Sequence, residues 1–287
     1  MKKVVILGCE NSHADTFLNF IKEGAYPEIE VLGVYSDEAE AARKLNGQFG
    51  VKIMKTYTEA VGLADGVIVT ARHGDNHYKY ASPYIKEGAV MFIDKPFTIK
   101  EEEAVKFIKE LKASGVRVSG GSCCKYIDLV QEIKKDHQNN VGGETVGGLM
   151  RAPVTLKNEY GNFFFYSQHL VEMVCEAYGY YPKSVKADNV NGNVTVVFKY
   201  EGFNITGLYV SESSLYYVSR HTLSSVKGSV ADVNPCFKKE FDEFYGMLTG
   251  KEQERDYAEL IAPVFVINAI NRSMESGAEE AVKRYEI

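Results

Sequence analysis

The stretch Met91-Phe92-Ile93-Asp94-Lys95-Pro96-Phe97 constrains this chain more than any other. Its apolar run, 90–93, reads as a short strand buried on both faces. The run stops at Asp94-Lys95, and Pro96 then removes a backbone donor and forces a turn. Thr98-x-x-Glu101 follows with the spacing of a helix capping box. The helix it opens carries Ala104, Phe107, Ile108 and Leu111 on one face. A charged pair is thereby set at the carboxyl end of an inner strand, where open parallel sheets bind their ligands. A lone lysine would read as a solvated strand end; in this setting Lys95 becomes a candidate for chemistry.

The same alternation runs through the first 120 residues. Residues 4–7 are a β-branched run closed by Gly8. Ser12 and Asp15 are spaced to cap a helix through about Lys22, with Phe17, Leu18, Phe20 and Ile21 as its apolar positions. The pattern then predicts a strand at 29–35, a helix at 37–45, a short strand at 52–54, a helix at 57–63 and a strand at 65–70. A loop holding Arg72, His73, Gly74 and Asp75 leads into a helix to about Lys86, with Asp75 as its expected cap. After the strand before Lys95 come a helix at 99–113 and a strand at 116–120. Strands and helices of these lengths predict βαβ units, a parallel sheet and right-handed crossovers. The fold class is α/β, with residues 1–120 a Rossmann-like, doubly wound domain.

From Gly120-Gly121 onward the pattern changes. A helix is expected at 126–137, a turn at Gly142-Gly143, a strand ending near Leu156, and an irregular aromatic stretch at 161–166. A helix follows from His169 to Gly179, with Leu170, Val171, Val174 and Tyr178 at helical spacing. Residues 194–200 and 203–210 alternate across Glu201-Gly202, an antiparallel hairpin signal, and 215–226 adds further strand. Helices at 237–248 and 257–275 close the chain, the second kinked or restarted at Pro263. Residues 121–287 therefore read as an α+β substrate and oligomerisation domain with a largely antiparallel open sheet, its C-terminal helix packing back on the first domain.

Composition narrows the partners. A chain of 287 residues, 45% hydrophobic and 25% charged, is ordinary globular protein with room for two cores. No apolar run approaches the ~20 residues of a membrane helix, and the opening Met1-Lys2-Lys3 enters a strand without the length of a secretory signal. Five cysteines, two of them adjacent, form no disulfide framework or zinc ribbon, which makes a reducing cytoplasm the expected compartment. A net charge of -6 with no basic block argues against nucleic acid.

Taken in order, these features resemble the Gfo/Idh/MocA family of NAD(P)-dependent sugar and polyol oxidoreductases. Asp94-Lys95-Pro96 stands for the family's Glu-Lys-Pro, Asn76-His77 precedes it, and His169 opens a mid-chain helix. Asn268-Ala269-Ile270-x-x-Ser273-x-x-x-Gly277 is similar to the family's closing helix and its exit. The resemblance implies hydride transfer between NAD or NADP and a sugar, polyol or similar small hydroxyl compound. It implies Lys95 beside the nicotinamide and the reacting carbinol, and His169 exchanging the hydroxyl proton. A lysine in a desolvated crevice has its pKa lowered toward working pH, and a histidine already titrates there. The resemblance further implies cofactor contacts at Gly8, Glu10, Asn11, Ser12, His13, Ser36, Asp37, Thr70, His73, His77, Asp94 and Pro96. Substrate contacts fall to Lys95, Lys125, Tyr166, His169 and Glu172. Read without the family, Lys125 is a solvated cation at a helix start and Glu172 a solvent-facing carboxylate. A homodimer or homotetramer through the second domain's sheet is expected.

The sequence also departs from the family's pattern. The dinucleotide fingerprint uses three glycines, for the turn, for pyrophosphate approach and for helix–strand packing. Only Gly8 is present; Glu10 and His13 stand at the other two positions. A carboxylate at the pyrophosphate contact weakens binding unless Glu10 points aside or the loop is reshaped. At the ribose position Ser36 replaces the usual acid, with Asp37 one residue later, which leaves NAD and NADP both open. The aspartate often found four residues before the histidine is Phe165, inside Phe163-Phe164-Phe165-Tyr166, a cluster suited either to stacking on a sugar ring or to core packing. Two other readings stand beside the dehydrogenase. One is a catalytically silent relative serving as a ligand-binding or assembly module. The other is a metal or anion site formed by Glu10, His13, His73 and His77.

Overall fold

A computed structural model describes residues 1–285. The chain divides into two compact units, Met1–Gly121 with Phe237–Leu260, and Ser122–Cys236 with residues 261–285. The single boundary read at 120/121 thus becomes several, because a helical segment near the end of the chain returns to the first unit.

The first unit runs β1 (Lys2–Leu7), α1 (Ser12–Lys22), β2 (Ile29–Tyr35), α2 (Ala39–Phe49), β3 (Gly66–Val69), α3 (Asp75–Ile85), β4 (Val90–Asp94), α4 (Glu101–Ala113) and β5 (Val118–Gly121). All neighbouring strands are parallel, in the order β2-β1-β3-β4-β5. The chain leaves β1 for β2 on one side and then crosses to β3 on the other, so the strand order reverses between β1 and β3. Such a reversal opens a crevice at the carboxyl ends of the strands. β3, β4 and β5 are buried along their whole lengths, as strands covered on both faces must be.

Several local expectations are corrected. The strand expected at 52–54 is one bridge, Ile53 to Val34. The helix expected at 57–63 is a series of three-residue turns, Glu59 N–H to Thr56, Val61 to Thr58 and Leu63 to Ala60. There the Thr56 and Thr58 hydroxyls bond each other, and Gly62 adopts φ 74°, so the turn never propagates. The cap of α1 is Asn11 rather than Ser12. Thr98 is not the cap of α4: its hydroxyl donates to the Lys100 carbonyl, and Lys100 sits at the cap. Asp75 is the first residue of α3, after Gly74. The core joins Val4, Ile6, Phe17 and Phe92 to Phe241, Phe244, Met247 and Leu248 of the returning helix. Phe17 meets Phe92 edge-on at 5.2 Å and Phe241 at 4.8 Å.

The second unit opens with a 3₁₀ turn, Cys123–Tyr126, then α5 (Asp128–Gln138), β6 (Gly147–Pro153), α6 (Phe164–Tyr178), β7 (Ser184–Val190), β8 (Asn193–Lys199), β9 (Asn204–Val210), β10 (Tyr216–His221) and β11 (Val226–Ala231). The helices α7 (Cys236–Leu248) and α8 (Tyr257–Ser276) and the short β12 (Glu280–Ala281) complete the chain. The sheet order is β11-β10-β6-β9-β8-β7-β12, antiparallel except where β6 lies parallel to β9. Met150, Ala152, Val194, Val196, Phe198, Ile205 and Tyr209 form its buried face, against which α6 packs. Leu149, Val197, Leu208 and Tyr217 stand half-buried on the other.

The expected hairpin is β8 and β9, paired from Val194↔Tyr209 to Lys199↔Asn204. Its neighbour β7 lies outside the expected strands, although Asn191-Gly192 signals it: both residues have positive φ, 52° and 84°, as a two-residue hairpin turn requires. The strand expected at 215–226 is two, with a Thr222–Ser225 turn between. α6 begins at Phe164, so three of the four clustered aromatics belong to its first turn. α8 continues through Pro263 without a restart.

Gly120 is held at φ 129°, and an added Cβ would lie 1.8 Å from the Ile93 carbonyl oxygen, one residue before Asp94. Gly24 has φ 80° but open space around it. Gly24→Ala is therefore expected to cost about 1–2 kcal/mol, the left-handed penalty alone. Gly120→Ala should cost at least about twice that in urea unfolding, because β4 and β5 must separate.

Candidate active site

In the first unit the site is built on Asp94. Its side chain is fully buried at the carboxyl end of β4. Oδ1 accepts the Lys95 backbone N–H at 2.7 Å, Oδ2 accepts from the Asn11 amide at 3.0 Å, and the His13 Nδ1 lies 2.8 Å from Oδ2. Burial alone would raise this carboxyl group; the charges of His13 and Lys95 outweigh it and hold Asp94 below the ordinary aspartate value. One carboxylate thus ties the loop after β1 to the tip of β4. Lys95 itself is 4% exposed, and the Lys95-Pro96 bond is cis.

The first loop closes by contacts the sequence could not reveal. Gly8 has φ 73°, and a Cβ there would come within 2.5 Å of Ala71, so this glycine makes the tight turn that the fingerprint assigns to its first member. Thr70 donates its hydroxyl to the Gly8 carbonyl at 3.0 Å, joining the ends of β1 and β3. Glu10 turns aside: Oε2 accepts from the Ser36 hydroxyl at 2.6 Å and Oε1 from the Arg72 backbone N–H at 3.0 Å. Asp37 faces another way, accepting from Tyr35 Oη at 2.6 Å and Lys79 Nζ at 2.9 Å. The Tyr35 hydrogen bond is the chief cause that holds its carboxyl below the ordinary range. Ser12 is exposed and donates to Asn11 Oδ1 at 3.4 Å.

The histidines do not converge on one point. His77 is fully buried with Nε2 2.8 Å from the Ala71 carbonyl oxygen, and burial pushes its pKa below the ordinary histidine value. His73 Nδ1 accepts from the Asp75 backbone N–H at 3.3 Å. With His13 engaged at Asp94, the proposed cluster of Glu10, His13, His73 and His77 dissolves into separate contacts. Among the described residues no group of three or more His, Cys, Asp or Glu could hold a metal ion.

In the second unit the centre is His169, 6% exposed on α6. Its Nδ1 lies 2.7 Å from Ser122 Oγ and 3.5 Å from Cys124 Sγ, while Ser122 Oγ also accepts the Cys124 backbone N–H at 3.1 Å. Phe165, four residues before the histidine, packs between Tyr160 at 5.2 Å and Tyr166 at 5.0 Å. The Tyr166 ring lies 5.3 Å from the imidazole. Phe163 is core, edge-on to Tyr209. Burial would raise the Cys124 thiol; the hydrogen bond with Cys123 and the nearby His169 outweigh it and hold the thiol well below the ordinary value.

Lys125 and Glu172 are corrected from solvated charges to a buried pair. Lys125 is fully buried with Nζ 3.3 Å from Glu172 Oε1, and Glu172 Oε2 accepts from the Ser122 backbone N–H at 3.1 Å and Gln168 Nε2 at 2.7 Å. Ser122, Cys124 and Gln168 were missed by sequence reasoning. The available signal was Ser122 itself, a polar residue directly after a buried strand that ends in two glycines.

The comparisons with known proteins bear on this arrangement. Residues 2–122 match the Gfo/Idh/MocA model, described as an oxidoreductase family with an NAD-binding Rossmann fold. A search of the curated proteins gave no match. Among solved structures, a putative myo-inositol dehydrogenase from Sinorhizobium meliloti aligns with TM-score 0.83 at 15% identity, over 99% of this chain and 100% of that one. The apo scyllo-inositol dehydrogenase from Lactobacillus casei aligns at 0.85 and 10%, over 98% of each chain. GenD2 of gentamicin A biosynthesis, solved with NAD, aligns at 0.80 and 12%, over 98% of this chain and 96% of that one. At these identities the likeness is one of fold.

Two outcomes test the site's energetics. Glu172→Leu leaves the Lys125 ammonium buried without this carboxylate and should cost about 3–5 kcal/mol. Adding Lys125→Met should recover much of that loss in a double-mutant cycle of urea midpoints. His77 has a folded pKa below its unfolded value, so its contribution is complete above about pH 6.5 and lost as the pH falls. The melting temperature should decline from about pH 7.5 to about pH 5, less steeply in His77→Gln.

Proposed function

From the premise that this chain carries the Rossmann domain of the Gfo/Idh/MocA oxidoreductase family over residues 2–122, we propose that it is a nicotinamide-dependent oxidoreductase acting on a sugar, polyol or similar small hydroxyl compound. The observation that carries the reading is the Asp94 clamp, which holds Lys95 at the tip of an inner strand beside a tight glycine turn. The residues of the first unit fit a dinucleotide: Gly8 makes the turn, and the Glu10 side chain is drawn to Ser36 and Arg72. The nicotinamide, when bound, supplies the hydride acceptor or donor.

The protein's own task is to orient groups and move a proton. Lys95 holds the substrate oxygen with its ammonium. His169 exchanges the hydroxyl proton at Nε2, since Nδ1 is engaged by Ser122 and Cys124. Tyr166 supports a hydroxylated ring by stacking, and Lys125 with Glu172 positions the segment that carries Ser122. The inositol dehydrogenases among the similar structures make cyclic polyols reasonable first substrates. The half-buried face bearing Leu149, Val197, Leu208 and Tyr217 supports self-association through the second unit's sheet. Five free, buried cysteines support a cytoplasmic setting.

The test is a melting-temperature shift with NADH and NADPH, followed by turnover of cyclic polyols. Lys95→Ala should retain cofactor binding while turnover falls by about 10²–10⁴-fold. His169→Ala should lose a similar factor and the histidine limb of the pH–rate profile. If neither cofactor shifts the melting temperature, the chain is a silent relative of the family.

A further inference from the structure

The side chain at the fingerprint's second position has been put to a different use. In doubly wound sheets an acidic residue at the end of the second strand accepts hydrogen bonds from the adenosine ribose and selects NAD over NADP. Here β2 ends at Tyr35, and the next residue, Ser36, has no carboxylate. Its hydroxyl is committed in both directions, donating to Glu10 Oε2 at 2.6 Å and accepting the Glu38 backbone N–H at 3.0 Å. Asp37, the other candidate, is turned to Tyr35 and Lys79.

We propose that Glu10, although it belongs to the first loop, supplies the missing ribose-recognising carboxylate at the end of β2 and makes the chain selective for the non-phosphorylated dinucleotide. The inference rests on the function proposed above and names which cofactor that function uses. Ser36 and the Arg72 amide hold Glu10 from two sides and pin the carboxylate at the carboxyl edge of β2 and β3. An ionised carboxylate offers about four lone-pair directions, so roughly two remain for the vicinal ribose hydroxyls. The side chain is half-buried, so part of it remains open to solvent. A 2′-phosphate brought to the same place would meet a fixed like charge in a partly desolvated setting. The departure that argues against cofactor binding when read as sequence therefore becomes a device for choosing the cofactor.

The experiment is a fluorescence titration of the full chain with NADH and with NADPH, in the unaltered protein, Glu10→Gln and Glu10→Gly. The glutamine keeps the shape: its oxygen can accept from the Arg72 N–H while its amide donates to the Ser36 hydroxyl oxygen, which can accept as well as donate, so its unliganded melting temperature should stay close to that of the parent. The expected result is NADH bound at least about tenfold more tightly than NADPH, the scale of a charge-assisted hydrogen bond. Glu10→Gln should weaken NADH by about tenfold and tighten NADPH, closing the gap. An unchanged ratio in Glu10→Gln, a preference for NADPH, or tighter NADH binding by Glu10→Gly would overturn this inference while leaving the oxidoreductase standing; the last would mark the carboxylate as an obstruction. If none of the three proteins binds either dinucleotide, the proposed function falls and this inference with it.

Discussion

A carboxylate sealed from water at the end of β4 is what the first unit's site depends on. Asp94 is fully buried, and a charge in that position is tolerated only when its oxygens are occupied. The Lys95 amide, the Asn11 side chain and His13 occupy them. Asn11 also caps α1, so the start of that helix, the loop after β1 and the tip of β4 are positioned together. The direction in which Lys95 leaves the strand follows from that anchoring, as does the register of the loop that carries Glu10. Removing Asp94 would disturb the cap, the loop and the lysine at once.

The glycine-poor loop is intelligible on the same terms. A fingerprint glycine does conformational work at its first position and makes room at the others. Gly8 keeps the conformational work, with positive φ and Ala71 too close for any side chain. His13 replaces space with a contact, filling the helix–strand gap between Asp94 and Phe237, whose ring lies 5.0 Å away. Glu10 is drawn sideways by two donors. The loop is thus rebuilt around polar contacts rather than emptied of side chains.

The second unit solves a comparable problem with different residues. An imidazole that has one nitrogen held in a hydrogen bond presents the other. On α6 the His169 Nδ1 is engaged by Ser122 and Cys124, immediately after β5. Their segment is in turn held by Glu172, whose oxygens also meet Lys125 and Gln168. The network is buried and polar throughout, an arrangement that tolerates little displacement because each unpaired member would be costly.

What the sequence by itself determined is the architecture: the periodicities of 2 and 3.6, the buried strand ending in Asp94-Lys95-Pro96, and the change of pattern after Gly121 identify a parallel α/β unit followed by an α+β one. Periodicity reports which face of an element is buried, and that suffices for fold class. It also left a readable signal unused, the Asn191-Gly192 turn before β8. The tertiary structure alone decided where each polar side chain spends its hydrogen bonds. That Glu10 turns to Ser36, that His77 meets the Ala71 carbonyl, and that Lys125 is buried on Glu172 depend on partners 26, 6 and 47 residues away. Propensity carries no information about such pairs, because a polar residue's local preference is the same whether its partner is water or a distant backbone group brought near by folding.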